Sequence, residues 1–274
     1  HPESYAKRSR RVALDHVRLT FELADGNRPD LVVWPENALD VDPLHHAALR
    51  ESITGVIQAV NAPLMAGAVV RGRDGRYRNQ LLYYSSSGRV VGRYSKMHLV
   101  PFAEYVPYRP VLGWVQSLRT VHRELVPGDG IRLFDVHGVA VGTPICFENT
   151  FPGLVRRFVN AGAGILVVTT NDSSFGTSPA SREHVIMSEL RAVENGRWVV
   201  QAAVSGISAI IDPHGNVLKR TPMFSPAILR ARVPSSTATT FYTRTGDWFP
   251  WLAGAVAASI LVALLLKRRR STTA

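Results

Sequence analysis

The feature that most restricts what this 274-residue chain can fold into is a long uncharged segment near its C-terminus. Residues 248–266 read WFPWLAGAVAASILVALLL, a run of 19 without a charged side chain. An α-helix of that length extends about 28 Å, close to the hydrocarbon thickness of a bilayer. Trp248, Phe249 and Trp251 lie at one end and Lys267 with three arginines closes the other. This asymmetry predicts a transmembrane helix rather than a buried core helix.

The charge at the end of this segment also predicts its orientation. By the positive-inside rule, the basic tail 267–274 is cytoplasmic and everything before Trp248 lies on the extracytoplasmic face. The chain starts with His1, shows no signal peptide, and enters a helical pattern at Arg11. An extracytoplasmic domain needs a route across the membrane, so we expect membrane-spanning sequence upstream of this chain.

The net charge of +11 invites a nucleic-acid interpretation, but the distribution of charge opposes it. The basic residues gather at the two ends, in 7–11 and 267–270, and the rest are scattered. No helix-turn-helix, zinc-finger or RNA-binding signature accompanies them, so we predict no nucleic-acid partner. His98 and His184 lack metal-ligand spacing, and the chain has no phosphate-binding glycine loop, so we predict neither a metal nor a cofactor.

Ahead of the apolar segment, short apolar runs alternate with helical patterns. The predicted strands are 31–34, 64–70, 80–85, 90–94, 139–145, 165–170, 198–204 and 208–211, and the predicted helices are 11–24, 44–60, 151–161 and 181–195. This alternation predicts an α/β fold, and turn signals within 72–95 and 208–220 add antiparallel hairpins. We predict one catalytic domain over 1–240, a linker over 241–247, a transmembrane helix over 248–266 and a basic tail over 267–274.

Three apolar runs end at side chains that can do chemistry. Glu36 follows Leu-Val-Val-Trp-Pro, Lys96 follows Gly-Arg-Tyr-Ser, and Cys146 lies in Gly-Thr-Pro-Ile-Cys-Phe-Glu. Cys146 is the only cysteine, so it has no internal disulfide partner and is either an inert buried thiol or a nucleophile. Each run taken alone also permits a bland interpretation, with Glu36 flanking a helix and Lys96 on a solvated surface.

Glu36, Lys96 and Cys146, in this order and these contexts, resemble the Glu-Lys-Cys triad of the nitrilase superfamily of carbon–nitrogen hydrolases. The chemistry that this resemblance implies is physically coherent. An ammonium group favours the thiolate of a nearby cysteine, and a carboxylate takes the thiol proton as general base. The same ammonium suits the oxyanion that forms when sulfur attacks an acyl carbonyl. That resemblance implies an α-β-β-α sandwich, here followed by the one C-terminal transmembrane helix.

Longer motifs narrow the resemblance. Val-Trp-Pro-Glu-Asn, Lys-x-His-Leu-Val-Pro-Phe-x-Glu-Tyr-Val-Pro, Ile-Cys-Phe-Glu and Thr-Asn-Asp-Ser-Ser-Phe-Gly are similar to the extracytoplasmic domain of the apolipoprotein N-acyltransferase family. This implies an enzyme of the bacterial plasma membrane whose catalytic domain is periplasmic. Such an enzyme moves an acyl chain from a phospholipid donor to the N-terminal amine of a diacylglyceryl-cysteine lipoprotein, through a cysteine thioester.

The resemblance also implies roles for individual residues. Glu36 is the general base, Lys96 the oxyanion partner and Cys146 the nucleophile. The supporting residues that it implies are Glu104, which orients Lys96, Glu148 beside the nucleophile, and Asn79 near the pocket. The chain departs from the family pattern at Ser174, where an aromatic residue is usual, and at 204–206, where Val-Ser-Gly replaces Asn-x-Gly. The family's first strand precedes the helix at Arg11, so we expect this chain to be truncated at its N-terminus.

Residues 102–118, FAEYVPYRPVLGWVQSL, place many apolar and aromatic side chains close to Lys96. We interpret them as a lid that meets the lipid bilayer, with Phe102, Tyr105, Tyr108, Leu112 and Trp114 as lipid contacts. The alternative is that these residues pack in the core. Two other functions stay open: a membrane-tethered amidase or nitrilase that uses the same triad, and a non-catalytic membrane-anchored binding domain. The three intact triad residues disfavour the second.

Overall fold

The computed structural model describes residues 2–109 and 124–272. Its helices are α1 (Pro2–Phe21), α2 (Ala47–Val60), α3 (Pro152–Asn160), α4 (Ala180–Asn195), α5 (Phe241–Thr245) and α6 (Trp248–Thr272). Its strands are β1 (Val32–Leu39), β2 (Leu64–Arg71), β3 (Tyr77–Tyr84), β4 (Val90–Ser95), β5 (Leu133–Val136), β6 (Val139–Gly142), β7 (Ile165–Asn171), β8 (Trp198–Val204), β9 (Ala209–Ile211) and β10 (Val217–Arg220). Short 3-10 turns follow β6 at Cys146–Thr150 and β7 at Ser173–Phe175.

The strands form two sheets. One has the order β1-β2-β3-β4, with β1 parallel to β2 and the next two pairings antiparallel. The other has the order β10-β9-β8-β7-β6-β5, with β6, β7 and β8 parallel in its centre and antiparallel pairs outside them. The hairpins predicted within 72–95 and 208–220 are confirmed by these pairings.

Two apolar clusters arrange the helices around the sheets. In the first, Val17 of α1 and Ile53 of α2 pack with Leu82 of the four-stranded sheet. In the second, Leu81 of that sheet packs with the six-stranded sheet and with Phe158 of α3. The layers therefore run helix, sheet, sheet, helix, and the predicted α-β-β-α sandwich is confirmed.

Strand β1 is interrupted where it carries Glu36. The register with β2 shifts between Trp34 and Leu39, and Asn37 has a φ of 56°, in the left-handed region. Gly67 of β2 lies directly against this irregularity, since a Cβ there would come within 2.5 Å of the Glu36 Cα. Glu36 thus lies in a bulge inside the strand rather than at the strand end that the sequence predicted, and the bulge aims its side chain between the sheets.

The segment that precedes helix α6 is held along the body of the sandwich. Arg197, between α4 and β8, donates from Nη1 to the carbonyl oxygen of Ala238 over 2.5 Å. Arg156 of α3 donates to the carbonyl oxygens of Thr243 and Arg244 over 2.8 and 2.9 Å. Residues 241–247, predicted as a linker, contain the short helix α5 at this attachment. We refer to residues 235–247 below as the strap.

Helix α6 leaves the domain directly after the strap. Its segment Trp248–Leu265 has a mean hydropathy of 2.0 and is 0% buried, so it is long and apolar enough to cross a membrane. The exposed apolar surface of this helix needs a nonaqueous environment, and a bilayer supplies one.

Candidate active site

A buried lysine lies at the centre of the site. Lys96 follows directly after β4, and 1% of its side chain is exposed. Its Nζ is 3.0 Å from Glu36 Oε1 and 3.0 Å from Glu104 Oε2. Burial alone lowers the pKa of the ammonium group, but Glu36, Cys146 and Glu104 beside it outweigh burial and raise that pKa. Lys96 is therefore a fixed positive charge in an environment that excludes water.

The side-chain amide of Asn79 in β3 bridges the carboxylates of Glu36 and Glu104. Its Nδ2 donates to Glu36 Oε1 over 2.6 Å and to Glu104 Oε1 over 2.8 Å. The main-chain N–H of Asn171 donates to Glu36 Oε2 over 2.9 Å, and that of Val100 donates to Glu104 Oε2 over 2.8 Å. Because every carboxylate oxygen has a donor, one ammonium group is able to hold two acids without displacing either.

Cys146 lies at the first position of the 3-10 turn after β6, with a φ of 51°. The residue is 7% exposed, and its Sγ accepts from Thr170 Oγ1 over 3.3 Å. Burial raises the pKa of Cys146 to about 12, and Glu36 adds to the rise while Lys96 and Thr170 oppose it. The resting residue is thus a neutral thiol beside an intact Lys96–Glu36 ion pair, with Glu36 in position to take its proton.

Glu148 fixes the turn that carries Cys146. Its Oε1 accepts from the main-chain N–H of Met97 over 2.6 Å, and its Oε2 accepts from that of Ile145 over 2.8 Å. The Tyr94 hydroxyl also lies 2.8 and 2.9 Å from its two oxygens. Burial raises the pKa of Glu148, against these hydrogen bonds. Glu148 ties the lysine strand to the cysteine turn and does not face the thiol directly.

The structure places further polar residues beside the thiol that sequence reasoning missed. Thr170 of β7 donates toward Cys146 Sγ over 3.3 Å, and it also contacts Asp172 and His184. His184 had been set aside for its lack of metal-ligand spacing, and Asp172 lies in the quoted Thr-Asn-Asp motif. Thr170 and Asp172 are two residues apart at the end of β7, and only the fold brings His184 of α4 beside them. In the described parts of the chain, no group of three or more His, Cys, Asp or Glu is placed to hold a metal.

The predicted lid residues divide into two groups. Phe102 and Tyr108 are 52% and 81% exposed, whereas Tyr105 is half-buried and its carbonyl accepts from the Phe102 N–H over 2.7 Å. Leu112 and Trp114 lie outside the described residues. The turn between Val100 and Tyr105 carries Glu104, so the exposed aromatic side chains are attached to the loop that holds Lys96.

This arrangement supports attack of sulfur on an acyl carbon. The Glu36 carboxylate is close enough to the thiol to act on its pKa, which is the place for a general base. Lys96 is paired with Glu36 and its charge also acts on Cys146, where an ammonium stabilises the negative charge of a tetrahedral intermediate. The three residues predicted as a triad are therefore brought together, with Asn79 and Glu104 in contact with them.

Comparison with known proteins agrees with this geometry. A family model described as carbon-nitrogen hydrolase matches residues 9–242. The apolipoprotein N-acyltransferase of Geobacter metallireducens is 37% identical over 259 residues, covering 93% of this chain and 49% of that protein. The apolipoprotein N-acyltransferase of Mycolicibacterium smegmatis is 34% identical over 287 residues, covering 96% of this chain and 48% of that protein. The chain spans about half the length of these curated relatives.

Solved structures share the architecture. The NitN amidase from Nesterenkonia sp. AN1 matches with a TM-score of 0.61 and 19% identity, covering 85% of this chain and 88% of that one. A carbon-nitrogen hydrolase from Helicobacter pylori G27 matches with a TM-score of 0.59 and 17% identity, covering 78% and 80%. At these identities the likeness concerns the fold, and it agrees with the predicted sandwich.

Proposed function

Because this chain belongs to the carbon–nitrogen hydrolase family, we propose that it is the catalytic part of a membrane-bound N-acyltransferase. It moves a fatty acyl chain from a phospholipid to the N-terminal amine of a diacylglyceryl-cysteine lipoprotein. The observation that carries this proposal is the buried Glu36–Lys96 pair against Cys146, next to exposed aromatic side chains and in a chain with an apolar helix. The identities of 34% and 37% to named acyltransferases support it.

In the first half-reaction, Cys146 Sγ attacks the ester carbonyl of the phospholipid. Glu36 accepts the thiol proton, and Lys96 stabilises the oxyanion. Collapse of the intermediate breaks the acyl carbon–oxygen bond, and Glu36 returns the proton to the departing lysophospholipid oxygen. The acyl chain is then held as a thioester on Cys146.

In the second half-reaction, the free amine of the acceptor attacks the thioester. Glu36 takes a proton from the attacking nitrogen, the amide forms, and the sulfur leaves and regains a proton. Water must be kept away from the thioester until the amine attacks, since hydrolysis would remove the acyl chain from Cys146 without transferring it. We assign this protection to a lid that includes the exposed Phe102 and Tyr108, with Tyr105 beside them, and that contacts acyl chains.

The membrane arrangement follows from helix α6. We place residues 248–266 across the bacterial plasma membrane, with the basic tail 267–274 in the cytoplasm. The catalytic domain, residues 1–240, is then periplasmic, where lipoprotein amines and phospholipid esters meet at the membrane surface.

The test is the detection of the acyl-enzyme. The protein in mixed micelles with acyl-labelled phosphatidylethanolamine is expected to gain a label that hydroxylamine removes. Cys146→Ala abolishes the label, and Lys96→Met lowers the rate of labelling by roughly a hundredfold, because one oxyanion partner is lost. Lys219→Met, at an exposed lysine, is the matched control and leaves the rate unchanged.

The competing function is an amidase that hydrolyses carbon–nitrogen bonds with the same triad. It would form no lipid-derived thioester and would release ammonia from small amides. A wild-type protein that releases ammonia but acquires no hydroxylamine-sensitive label would replace the acyltransferase proposal with this one.

A further inference from the structure

Thr170, Asp172 and His184 form a compact polar group behind the sulfur of Cys146. Thr170 Oγ1 is 2.8 Å from Asp172 Oδ1 and 3.0 Å from His184 Nδ1, and the last two atoms are themselves 3.0 Å apart. Thr170 Oγ1 is also 3.3 Å from Cys146 Sγ. Thr170 and Asp172 are buried, and the His184 side chain is 13% exposed. The triad chemistry described above makes no use of this group.

The chemistry of the three groups decides where their protons lie. A carboxylate only accepts hydrogen bonds, so the close Asp172 Oδ1 places the proton of His184 on Nδ1. A threonine hydroxyl has one proton, and its two acceptors here are the Asp172 carboxylate and the Cys146 sulfur. The Thr170 hydroxyl is therefore able to turn between a carboxylate and the nucleophile.

The position of Asp172 is fixed by the chain around it. Its main-chain N–H donates to the carbonyl of Val204 over 3.1 Å. Its Oδ2, which has no hydrogen-bond partner among the described residues, lies against Gly206, where a Cβ would come within 2.1 Å of that oxygen. Oδ1 is therefore the carboxylate oxygen that holds Thr170 and His184.

We propose that Thr170 is a further catalytic residue, whose hydroxyl donates a hydrogen bond to Cys146 Sγ when the thiolate forms and again when the sulfur leaves the acyl group. Asp172 and His184 are the positioning residues for that hydroxyl. While sulfur is a neutral thiol, the Asp172 carboxylate is the stronger acceptor. Once Glu36 has taken the thiol proton, the charged sulfur competes, and the hydrogen bond to it becomes charge-assisted. No proton leaves Thr170. The inference rests on the proposed use of Cys146 as nucleophile.

The test measures thiolate formation without any lipid. Iodoacetamide alkylates Cys146, the only cysteine, and its rate against pH reports the thiolate. The charged groups facing the sulfur are Glu36 and Lys96, with Asp172 and His184 behind Thr170. Thr170→Val is expected to slow alkylation about tenfold to a hundredfold at pH 8 and to shift the profile to higher pH, since it removes a hydrogen bond to a charged group. Thr170→Ser is expected to restore both.

The neighbouring residue supplies a matched control. Thr169 lies next to Thr170 on β7, is equally buried, and its Oγ1 has no hydrogen-bond partner in the described part of the chain. Thr169→Val makes the same chemical change on the opposite face of the strand and should leave the alkylation profile unchanged. If Thr170→Val fails to fold, Thr170→Ala removes the same hydroxyl without placing a methyl group against Asp172.

Two variants of His184 test its role, one that keeps an N–H donor and one that removes it. His184→Asn keeps an N–H close to the position of Nδ1 and should alkylate like the wild type, whereas His184→Leu should resemble Thr170→Val. Wild-type alkylation in both Thr170→Val and Thr170→Ala would overturn the proposal, and equal defects in His184→Asn and His184→Leu would remove His184 from it.

The outcome is separable from that of the proposed function. If the variants alkylate in the expected order but the protein forms no acyl adduct, the role of Thr170, Asp172 and His184 stands and acyl transfer is removed. If Thr170→Val forms the acyl adduct at the wild-type rate and its alkylation profile is unshifted, only the role of these three residues is removed.

Discussion

At the scale of single residues, the site combines hydrogen-bonded glutamates with backbone strain. The carboxylates of Glu36, Glu104 and Glu148 each accept main-chain or amide donors, so the buried negative charge is satisfied. Cys146 instead has a φ of 51°, which costs an L-residue other than glycine roughly 1–2 kcal/mol. This strain aims the sulfur at the meeting point of Glu36 and Lys96, and the surrounding hydrogen bonds hold the turn in place.

The strain predicts an unusual order of stability at position 146. Glycine adopts a positive φ freely, so Cys146→Gly is expected to be about 1 kcal/mol more stable than Cys146→Ala, after allowance for its more flexible unfolded chain. Neither variant has a sulfur, so both are inactive and the comparison isolates the backbone. Thermal unfolding in the same detergent measures the difference, and an alanine variant more stable than the glycine variant would contradict the strain argument.

At the scale of elements, the bulge in β1 positions the carboxylate of Glu36, the proposed general base. Glu36 reaches Lys96 and Asn171 because β1 departs from regular pairing between Trp34 and Leu39. The bulge fits only because β2 presents a residue without a side chain at Gly67. A single structural feature, the bulge, thus sets both the pairing of β1 with β2 and the position of the Glu36 carboxylate.

Gly67→Ala tests that coupling. Its Cβ would meet main-chain atoms of β1 at 2.5 Å, so we expect a loss of roughly 1–3 kcal/mol from overpacking and a fall in acyl-adduct formation as Glu36 shifts. Gly55 in α2 is the matched control, because nothing lies within 4 Å of its added Cβ. Gly55→Ala should keep activity and gain about 0.5–1 kcal/mol from helix propensity, measured by thermal unfolding. Equal stability of the two alanine variants would show that the bulge tolerates a side chain.

Much of this architecture could be predicted from the sequence because the signals are local. The strand over 198–204 coincides with β8, and Glu36, Lys96 and Cys146 each come after a recognisable apolar run. Strand β5 was missed, since four residues with one charge carry too little pattern. The Thr170–His184 contact was missed for another reason. It depends on where the fold places α4 relative to the end of β7, and no spacing along the chain indicates that position.

At the scale of the whole molecule, the body of the chain, which is the sandwich with its strap, is joined to helix α6 but does not share a core with it. The apolar window of α6 is 0% buried, so the body does not rely on it for packing. The body keeps its two apolar clusters, its sheets and the strap without α6.

Removal of α6 is therefore expected to separate folding from lipid access. The free energy of unfolding of a chain ending at Asp247 should lie within about 0.5 kcal/mol of that of the intact chain, since the lost surface faces outward. Its Cys146 alkylation rate should match the wild type, while acyl-adduct formation from phospholipid vesicles should fall steeply. Differential scanning calorimetry, alkylation and vesicle labelling measure the three quantities. A shortened chain that labels at the full rate from vesicles would show that the lid alone recruits lipid.

The strap has a consequence for how this protein is free to diverge. Arg156 and Arg197 hold it through the carbonyl oxygens of Ala238, Thr243 and Arg244. Every amino acid presents the same carbonyl, so these arginine contacts constrain the path of the strap and do not by themselves select its side chains. At Ala238 and Arg244, which are exposed, a homologue could carry other residues and keep the attachment. Thr243 is different, because it is buried and its hydroxyl also contacts Glu194 and Asn195. The side chains that recognise the strap carbonyls belong to Arg156 and Arg197, and no exchange of charge within the strap would replace either of them.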